Sequence, residues 1–189
     1  MHRNPLLVLL EDALARQPEN RERIARTHRF VVNHPDCLLR SCVPGHVTGS
    51  AWIVSHDHAR VLLTHHRKLG RWLQLGGHAD GDPDLFGVAL REAREESGLE
   101  RFTTLPGDAG RLPLDVDIHE IPARGDEPMH LHYDVRFLLL AEAAQKLRVS
   151  DESHALRWVA WEELPALVDE ESLHRRARRA RALLGLPPA

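Results

Sequence analysis

Helical periodicity dominates the first part of the chain. The apolar positions of NPLLVLLEDALARQ form one stripe, which consists of Leu6, Leu9, Leu10 and Ala13. Asn4 is the expected cap of this helix, and Pro5 suits its first turn. A second helix is predicted from Asn20 through RERIARTHRFVVNH to a stop at Pro35. The next segment, DCLLRSCVPG, is predicted to be a linker.

From residue 46 the pattern changes to short apolar and β-branched runs, which are typical of strands. The predicted strands are HVTGSAWIVS, RVLLTHH, GRWLQL, LDVDIHEI, LHYDVRFLLL and LRWVAW. A glycine-rich loop leads from the third strand into a helix. Two further helices follow the last strand, and the second of them ends at Gly185. Strands mixed with helices around one loop–helix unit predict an α/β fold, with a mixed sheet covered by helices.

The helix after the glycine-rich loop has clear boundaries and an acidic half. Asp82 is the expected cap, Pro83 suits the first turn, and Gly98 suits a left-handed exit. One continuous stripe along this helix consists of Leu85, Val88, Ala89, Glu92, Glu95, Glu96 and Leu99. The apolar half of the stripe is predicted to pack on the sheet, which turns the acidic half partly inward.

Three glutamates in that acidic half repel one another. Glu92 neighbours both Glu95 and Glu96, and like charges at such spacing destabilise a helix by roughly a few tenths of a kcal/mol per pair. Arg91 can relieve Glu95, but nothing comparable relieves Glu96. Inward carboxylates need a cation or hydrogen-bond donors, and Mg²⁺ prefers such oxygen ligands. The pattern therefore indicates a shared metal; the alternative is an exposed, charge-rich helix in which Arg91 and Arg94 solvate the acids.

The loop–helix unit also resembles the signature of the Nudix hydrolase family. The residues at matching offsets are Gly77, Arg91, Glu92, Ala93, Glu95, Glu96, Gly98 and Leu99. The flanking runs GRWLQLGG and DESHALRWVAWEEL are similar to family features as well. The resemblance implies a Nudix-type α/β/α sandwich with a mixed β-sheet at residues 44–168. An N-terminal helical extension (1–43) and a basic amphipathic C-terminal helix (169–189) lie outside it.

The sequence departs from the family pattern at two positions. Pro83 replaces the first glutamate of the signature, and Leu75 replaces a proline that is frequent before the double glycine. In the family that glutamate holds the signature arginine, which is Arg91 here. Asp84, two helical turns before Arg91, and Asp82 are the candidates to support it instead. The lost glutamate also motivates a rival interpretation, a non-catalytic Nudix-like nucleotide-binding module.

The resemblance implies hydrolysis of a diphosphate linkage in a nucleoside diphosphate joined to another moiety, with Mg²⁺ or Mn²⁺ as cofactor. By position in the signature, the expected metal ligands are Glu92 and Glu96, assisted by Glu95 and the carbonyl of Gly76. Gly77 is expected to support the site, because glycine permits a close backbone approach. The general base stays open among Glu92, Glu95 and Glu152, of which the last lies in the late loop VSDESHALRW.

Some of the 14 histidines are expected near the substrate. His46, His78 and His132, together with His130, fall near the mouth of the site in such a fold, where an imidazole can meet phosphate or ribose. Ordinary exposed histidines are the alternative. A structural zinc ion is disfavoured, because no common zinc finger has the spacing of His34, Cys37, Cys42 and His46.

Composition and charge bear on three further questions: nucleic-acid binding, membrane binding and location. With 25 basic and 28 acidic residues, the overall charge favours neither nucleic acid nor a membrane. No apolar run reaches the ~20 residues that span a bilayer, and the N-terminus does not resemble a signal peptide. Two cysteines make no disulfide framework, so a cytoplasmic location is expected.

The C-terminal run HRRARRARALL is predicted to be a docked helix with a solvated basic face. Its apolar seam consists of Leu173, Ala177, Ala180 and Leu184. An RNA-associated protein that uses this helix is a further alternative to the hydrolase. The expected partner is a small-molecule diphosphate, a nucleotide derivative, and the sequence is compatible with a homodimer.

Overall fold

Two helices precede the sheet in this structure, a computed structural model that describes residues 3–188. Helix α1 spans Asn4–Arg16, a 3-10 turn spans Pro18–Asn20, and α2 spans Arg21–Asn33. Asn4 is the first helical residue and not the cap, which is Arg3 and makes no side-chain capping bond. Both helices bury their apolar stripes in one core, through Leu6, Leu10, Ala13, Ile24, Phe30 and Val31.

A single mixed sheet forms the centre of the fold. Its eight strands are β1 (Gly45–Val54), β2 (Arg60–His66), β3 (Arg71–Leu73), β4 (Leu75–His78), β5 (Phe102–Thr103), β6 (Asp115–Ile121), β7 (His130–Ala141) and β8 (Ser153–Ala160). The order is β3-β2-β1-β7-β5, and β4, β6 and β8 pair with β1, β7 and β2 respectively. Only β1 and β7 run parallel; the other pairs are antiparallel. The expected mixed sheet is confirmed, and β5 is a short strand that the sequence pattern did not predict.

Helices cover both faces of the sheet, so the predicted α/β/α sandwich is also confirmed. Helix α3 (Leu85–Ser97) joins α1 and α2 on the first face, where Val47, Ala51 and Phe137 contribute to the shared core. Helices α4 (Leu164–Leu167) and α5 (Glu171–Leu183) cover the second face around Trp52 and Val54. Among residues 3–188, no helix is both long and apolar enough to cross a membrane.

The two faces of β1 differ in chemistry because side chains alternate along a strand. All ten residues of β1 are buried. The residues of β1 that point to the first face are all apolar or glycine. The second face changes character along β1, from polar at His46, Thr48 and Ser50 to apolar at Trp52 and Val54. A buried polar region therefore lies beside the apolar core under α4 and α5.

Helix α3 begins two residues later than the predicted cap implies. Asp84 is the N-cap, and its carboxylate accepts a 3.1 Å hydrogen bond from the backbone N–H of Gly87. Asp82 instead accepts from the N–H of Asp84, at 2.9 Å, in the preceding turn. The assignment of Asp82 as cap was therefore wrong. The predicted left-handed exit is confirmed, since Gly98 has a φ of 70°.

Helix α5 docks as predicted, but its basic face is not solvated. Arg175 pairs with Asp115 and Asp117. Arg176 is buried over the ring of Trp52, and Arg181 is buried over the ring of Trp161. The expectation of a solvated arginine face was wrong, because several of these guanidinium groups turn inward to meet buried carboxylates and aromatic rings.

A buried charge network occupies the polar region of the second face. Arg136, with 2% of its side chain exposed, lies 2.6 Å from Asp134, 3.3 Å from Asp115 and 3.2 Å from Asp117. Buried Arg136 holds the pKa of Asp134 below its usual range against the opposing effect of burial. Thr48 also donates a hydrogen bond to Asp134, at 3.0 Å. Such a network is stable only while each charge keeps its partner.

We therefore predict that Arg136→Met lowers the free energy of unfolding by about 3–5 kcal/mol, because it leaves buried carboxylates without their cation. Arg157→Met is the matched control, since Arg157 is half-exposed and, within residues 3–188, pairs only with half-exposed Glu163, at 3.2 Å. The control should lose at most about 1 kcal/mol. Urea denaturation at neutral pH measures both values. Equal losses in the two variants would contradict the assigned role of Arg136.

Candidate active site

Glu96 is the most buried acid of the crowded helix. It lies in the last turn of α3 with 8% of its surface exposed, and its Oε1 accepts a long hydrogen bond of 3.4 Å from the N–H of Gly76. Burial, together with the nearby charges of Glu92 and Glu152, raises the pKa of Glu96 to about 8. A buried carboxylate with one weak donor is energetically costly without a cation.

Glu92 lies against the glycine loop, one helical turn before Glu96. A β carbon at Gly77 would lie 2.5 Å from the carboxylate carbon of Glu92, so a side chain there would displace this carboxylate from the loop. The Glu92 side chain is 14% exposed, and its Oε1 lies 2.8 Å from Nη1 of Arg91. Burial raises the pKa of Glu92, while Arg91 opposes that rise. Glycine at position 77 therefore lets the Glu92 carboxylate lie directly against the loop backbone.

The other two candidate acids differ in their placement. Glu95 points to solvent, with 61% of its side chain exposed, and its carboxylate lies 3.7 Å from Arg91. Glu152 is exposed in the loop before β8, and its charge raises the pKa of both Glu92 and Glu96. The structure therefore places Glu92 and Glu96 at the glycine loop, with Glu152 close enough for its charge to act on both and with Glu95 exposed to solvent.

The aspartates do not support Arg91 as the sequence predicted. Arg91 pairs with Glu92 and Glu95 and donates a 3.3 Å hydrogen bond to the carbonyl of His78. The Asp84 carboxylate caps α3, and Asp82 accepts a bond from the preceding turn. Both predictions were therefore wrong. With a proline in place of the first signature glutamate, the remaining acids of the helix hold the arginine.

The donor set fits a hard divalent cation. Arg91 forms its ion pairs with the neighbouring glutamates, which leaves Glu96 without an ion pair in the described part of the chain. Two inward carboxylates of raised pKa, Glu92 and Glu96, then share one loop with the backbone of Gly76. Oxygen donors of this kind are the ligands that Mg²⁺ and Mn²⁺ prefer.

The predicted substrate histidines do lie together. The ring centroid of His46 is 5.0 Å from that of His78, 4.9 Å from that of His130 and 4.7 Å from that of His132. His78 lies two residues after Gly76 along β4, so the histidine group and the carboxylates share this strand. A role of these histidines toward substrate stays a prediction.

The cysteines take no part in this group. His46 lies with the other histidines, while His34 stacks on Phe30 and its Nδ1 lies 2.9 Å from the carbonyl of that residue. Burial raises the pKa of Cys37 to about 11 and that of Cys42 to about 12, so both remain thiols at neutral pH.

Sequence reasoning missed the polar side chains that line the second face. Asp134 accepts hydrogen bonds from Ser50 at 2.7 Å and from Gln74 at 3.3 Å, next to Arg136. A period of two was visible in both strands, at residues 46, 48 and 50 and at residues 132, 134 and 136. That alternation predicts a polar sheet face. The parallel pairing that joins the two runs was not visible in it.

Comparisons with known proteins agree with this geometry. A family model described as NUDIX domain matches residues 45–181. The fold is similar to a C. elegans Ap4A hydrolase binary complex, with a TM-score of 0.59 and 18% identity over 74% of this chain and 97% of that one. Comparison with curated proteins gave no match.

Two further structures have related folds. A dihydroneopterin triphosphate pyrophosphohydrolase from E. coli has a TM-score of 0.53 and 16% identity, over 74% of this chain and 95% of that one. A NUDIX-family hydrolase from Clostridium perfringens has a TM-score of 0.52 and 28% identity, over 74% and 97%. At 16–18% identity, the C. elegans and E. coli enzymes support the fold alone.

The raised pKa of Glu96 predicts a pH-dependent stability in metal-free protein. Between its ordinary pKa of 4.5 and the folded value of about 8, the folded state keeps a proton that the unfolded state has released. The free energy of unfolding therefore falls as pH rises through this window. Glu96→Gln removes the effect, so its advantage over wild type should grow to on the order of a few kcal/mol at pH 8.

Urea denaturation of chelator-treated protein at about pH 5 and about pH 8 measures this difference. Titrating histidines contribute equally to both proteins, so their effect cancels. Glu100→Gln is the control, because Glu100 is exposed just beyond α3. Parallel pH profiles for Glu96→Gln and wild type would show that the Glu96 carboxylate is not held protonated by burial.

Proposed function

This chain belongs to the Nudix family and is a Nudix-type pyrophosphohydrolase, and we propose that it cleaves the diphosphate linkage of a nucleoside diphosphate joined to another moiety. The observation that supports this most is the buried Glu96 carboxylate, which has Glu92 beside it and no ion pair within residues 3–188. A protein that only bound a ligand would not need these repelling acids at one loop.

We propose Mg²⁺ or Mn²⁺ as the cofactor. Glu92 and Glu96 would hold the cation, with help from the carbonyl of Gly76 and from Glu95 at the rim. When bound, such a cation neutralises charge on phosphate oxygens and lowers the pKa of a water molecule. Gly77 keeps the Glu92 carboxylate against the loop, since any side chain there would displace it.

Glu152 is the favoured general base among the three candidates. Glu92 is turned inward and held by Arg91, and Glu95 points outward toward the same arginine. Glu152 is exposed, and its charge still acts on both inward glutamates. A base needs access to water and a position near the reacting phosphorus, which suits an acid on the open side of the cluster.

The rival functions have less support from the fold. The interpretation as a non-catalytic binding module was based on the proline at position 83. Arg91 is nevertheless held by Glu92 and Glu95 without the missing glutamate. The RNA alternative rested on free arginines in the C-terminal helix. Arg175 and Arg176 are instead engaged with the protein interior.

We expect Glu96→Gln to lower kcat/KM by about 100-fold or more, since it removes a charge that would hold the cation while it preserves shape. Glu152→Gln should lower kcat and leave metal affinity intact, and Glu100→Gln, the exposed control, should match wild type. The assay measures phosphate release with Mg²⁺ and Mn²⁺. It covers nucleoside triphosphates, sugar nucleotides, dinucleotides and cytidine-diphospho-alcohols.

Two outcomes would contradict the proposal. Wild-type turnover by Glu96→Gln under saturating Mg²⁺ would disprove the metal assignment. Nucleotide binding without metal-dependent hydrolysis in any of the proteins would identify a binding module.

A further inference from the structure

Three imidazole rings meet on the second face of the sheet, apart from the carboxylates. His46 begins the polar run of β1, and the parallel register places it beside His132 of β7. His130 precedes His132 by two residues on the same strand face. One ring nitrogen from each histidine lies within 4.8 Å of the others. Three nitrogen donors therefore surround one point.

The spacing of two of these nitrogens fits a shared ion. Nε2 of His130 lies 3.4 Å from Nε2 of His132. Zinc binds imidazole nitrogen at ~2.0–2.1 Å in tetrahedral sites, so two nitrogens on one ion lie ~3.3 Å apart. The observed separation of the two nitrogens matches that value.

The tautomer of the neutral His130 ring follows from the partner of its other nitrogen. Nδ1 lies 2.9 Å from the carbonyl oxygen of Pro128. A carbonyl oxygen only accepts hydrogen bonds, so Nδ1 of the neutral ring carries the hydrogen. Nε2 then presents its lone pair toward His132. Metal-bound histidines commonly donate their second nitrogen to a backbone carbonyl in this way.

His46 supplies a second, independent observation. It is 3% exposed, and neither of its ring nitrogens has a hydrogen-bond partner among the described residues. A neutral imidazole always carries one N–H donor, and leaving a buried donor unpaired costs about 1–3 kcal/mol.

We propose that His46, His130 and His132 form a binding site for a first-row transition-metal cation of the Zn²⁺ class, with a fourth position open. Nitrogen ligands favour such cations, whereas Mg²⁺ prefers oxygen. His130 and His132 are only partly buried, which gives an ion a route to the site. The ring of His78, 5.3 Å from that of His132, flanks the three ligands. This site is separate from the one formed by the glutamates.

Cobalt is the probe for a site of this kind, because four-coordinate Co²⁺ absorbs strongly in the visible range. Full-length, chelator-treated protein is titrated with Co²⁺ in excess Mg²⁺, which saturates the carboxylate site. We expect one equivalent of Co²⁺ to give four-coordinate bands, and one equivalent of Zn²⁺ to abolish them. No nucleotide is present, so the result does not depend on the proposed hydrolysis.

Histidine variants test which residues bind the Co²⁺ ion that gives the absorption bands. His46→Ala and His130→Ala should each weaken Co²⁺ and Zn²⁺ binding by about 100-fold or more, since even the loss of an outer-shell partner costs 10–100-fold. Partly exposed His130 keeps the test valid if the buried substitution at His46 prevents folding. His154→Ala is the matched control, because His154 is exposed and stacks only on His65, at 5.5 Å.

Three results would overturn the proposal. The first is that wild type shows no four-coordinate bands. The second is that His130→Ala binds Co²⁺ as tightly as wild type, which would leave these histidines as contacts for another ligand or as packing. The third is that Glu96→Gln, which should bind Co²⁺ like wild type, loses the bands, because the ion would then lie at the carboxylates.

Discussion

The parallel pairing of β1 with β7 determines where the polar and apolar side chains lie at the centre of the sheet. The register runs over ten residue pairs, from Gly45 with Leu131 to Val54 with Leu140. Since side chains alternate along each strand, the first face receives the apolar residues that pack under α3, and the second face receives the polar residues 46, 48 and 50 of β1 and 132, 134 and 136 of β7. A slip of one residue would turn these polar residues into the apolar core under α1, α2 and α3. Hydrophobic burial on the first face therefore fixes the position of these polar residues on the second.

The buried charges of the second face explain why the C-terminal helix belongs to the globular unit. Arg136 alone does not balance the negative charges of Asp115 and Asp117, because Arg136 also pairs with Asp134. Arg175 of α5 lies 2.8 Å from both Asp115 and Asp117 and completes the compensation. The basic character of this helix thus reflects the acids beneath it and gives no indication of an external nucleic acid.

Local patterns in the sequence predicted the local features of the structure. The strand runs, the stripe of α3 and the crowded glutamates all depend on neighbours within a few residues. The glutamate spacing was enough to indicate a shared ion, because repulsion at three- and four-residue spacing follows from helix geometry. The direction in which the Arg176 side chain points depends on a tertiary contact with the ring of Trp52. His46 and His132 are joined only by a long-range register, which no local pattern encodes.

Strand β4 connects the two groups of donors. Gly76 donates to Glu96 on the helix side, and two residues later, ~7 Å along the strand, the ring of His78 joins the other histidines. The carbonyl of His78 also accepts a hydrogen bond from Arg91, which pairs with Glu92. A shift of β4 at the carboxylates would therefore also move the histidines, because β4 contacts both groups directly.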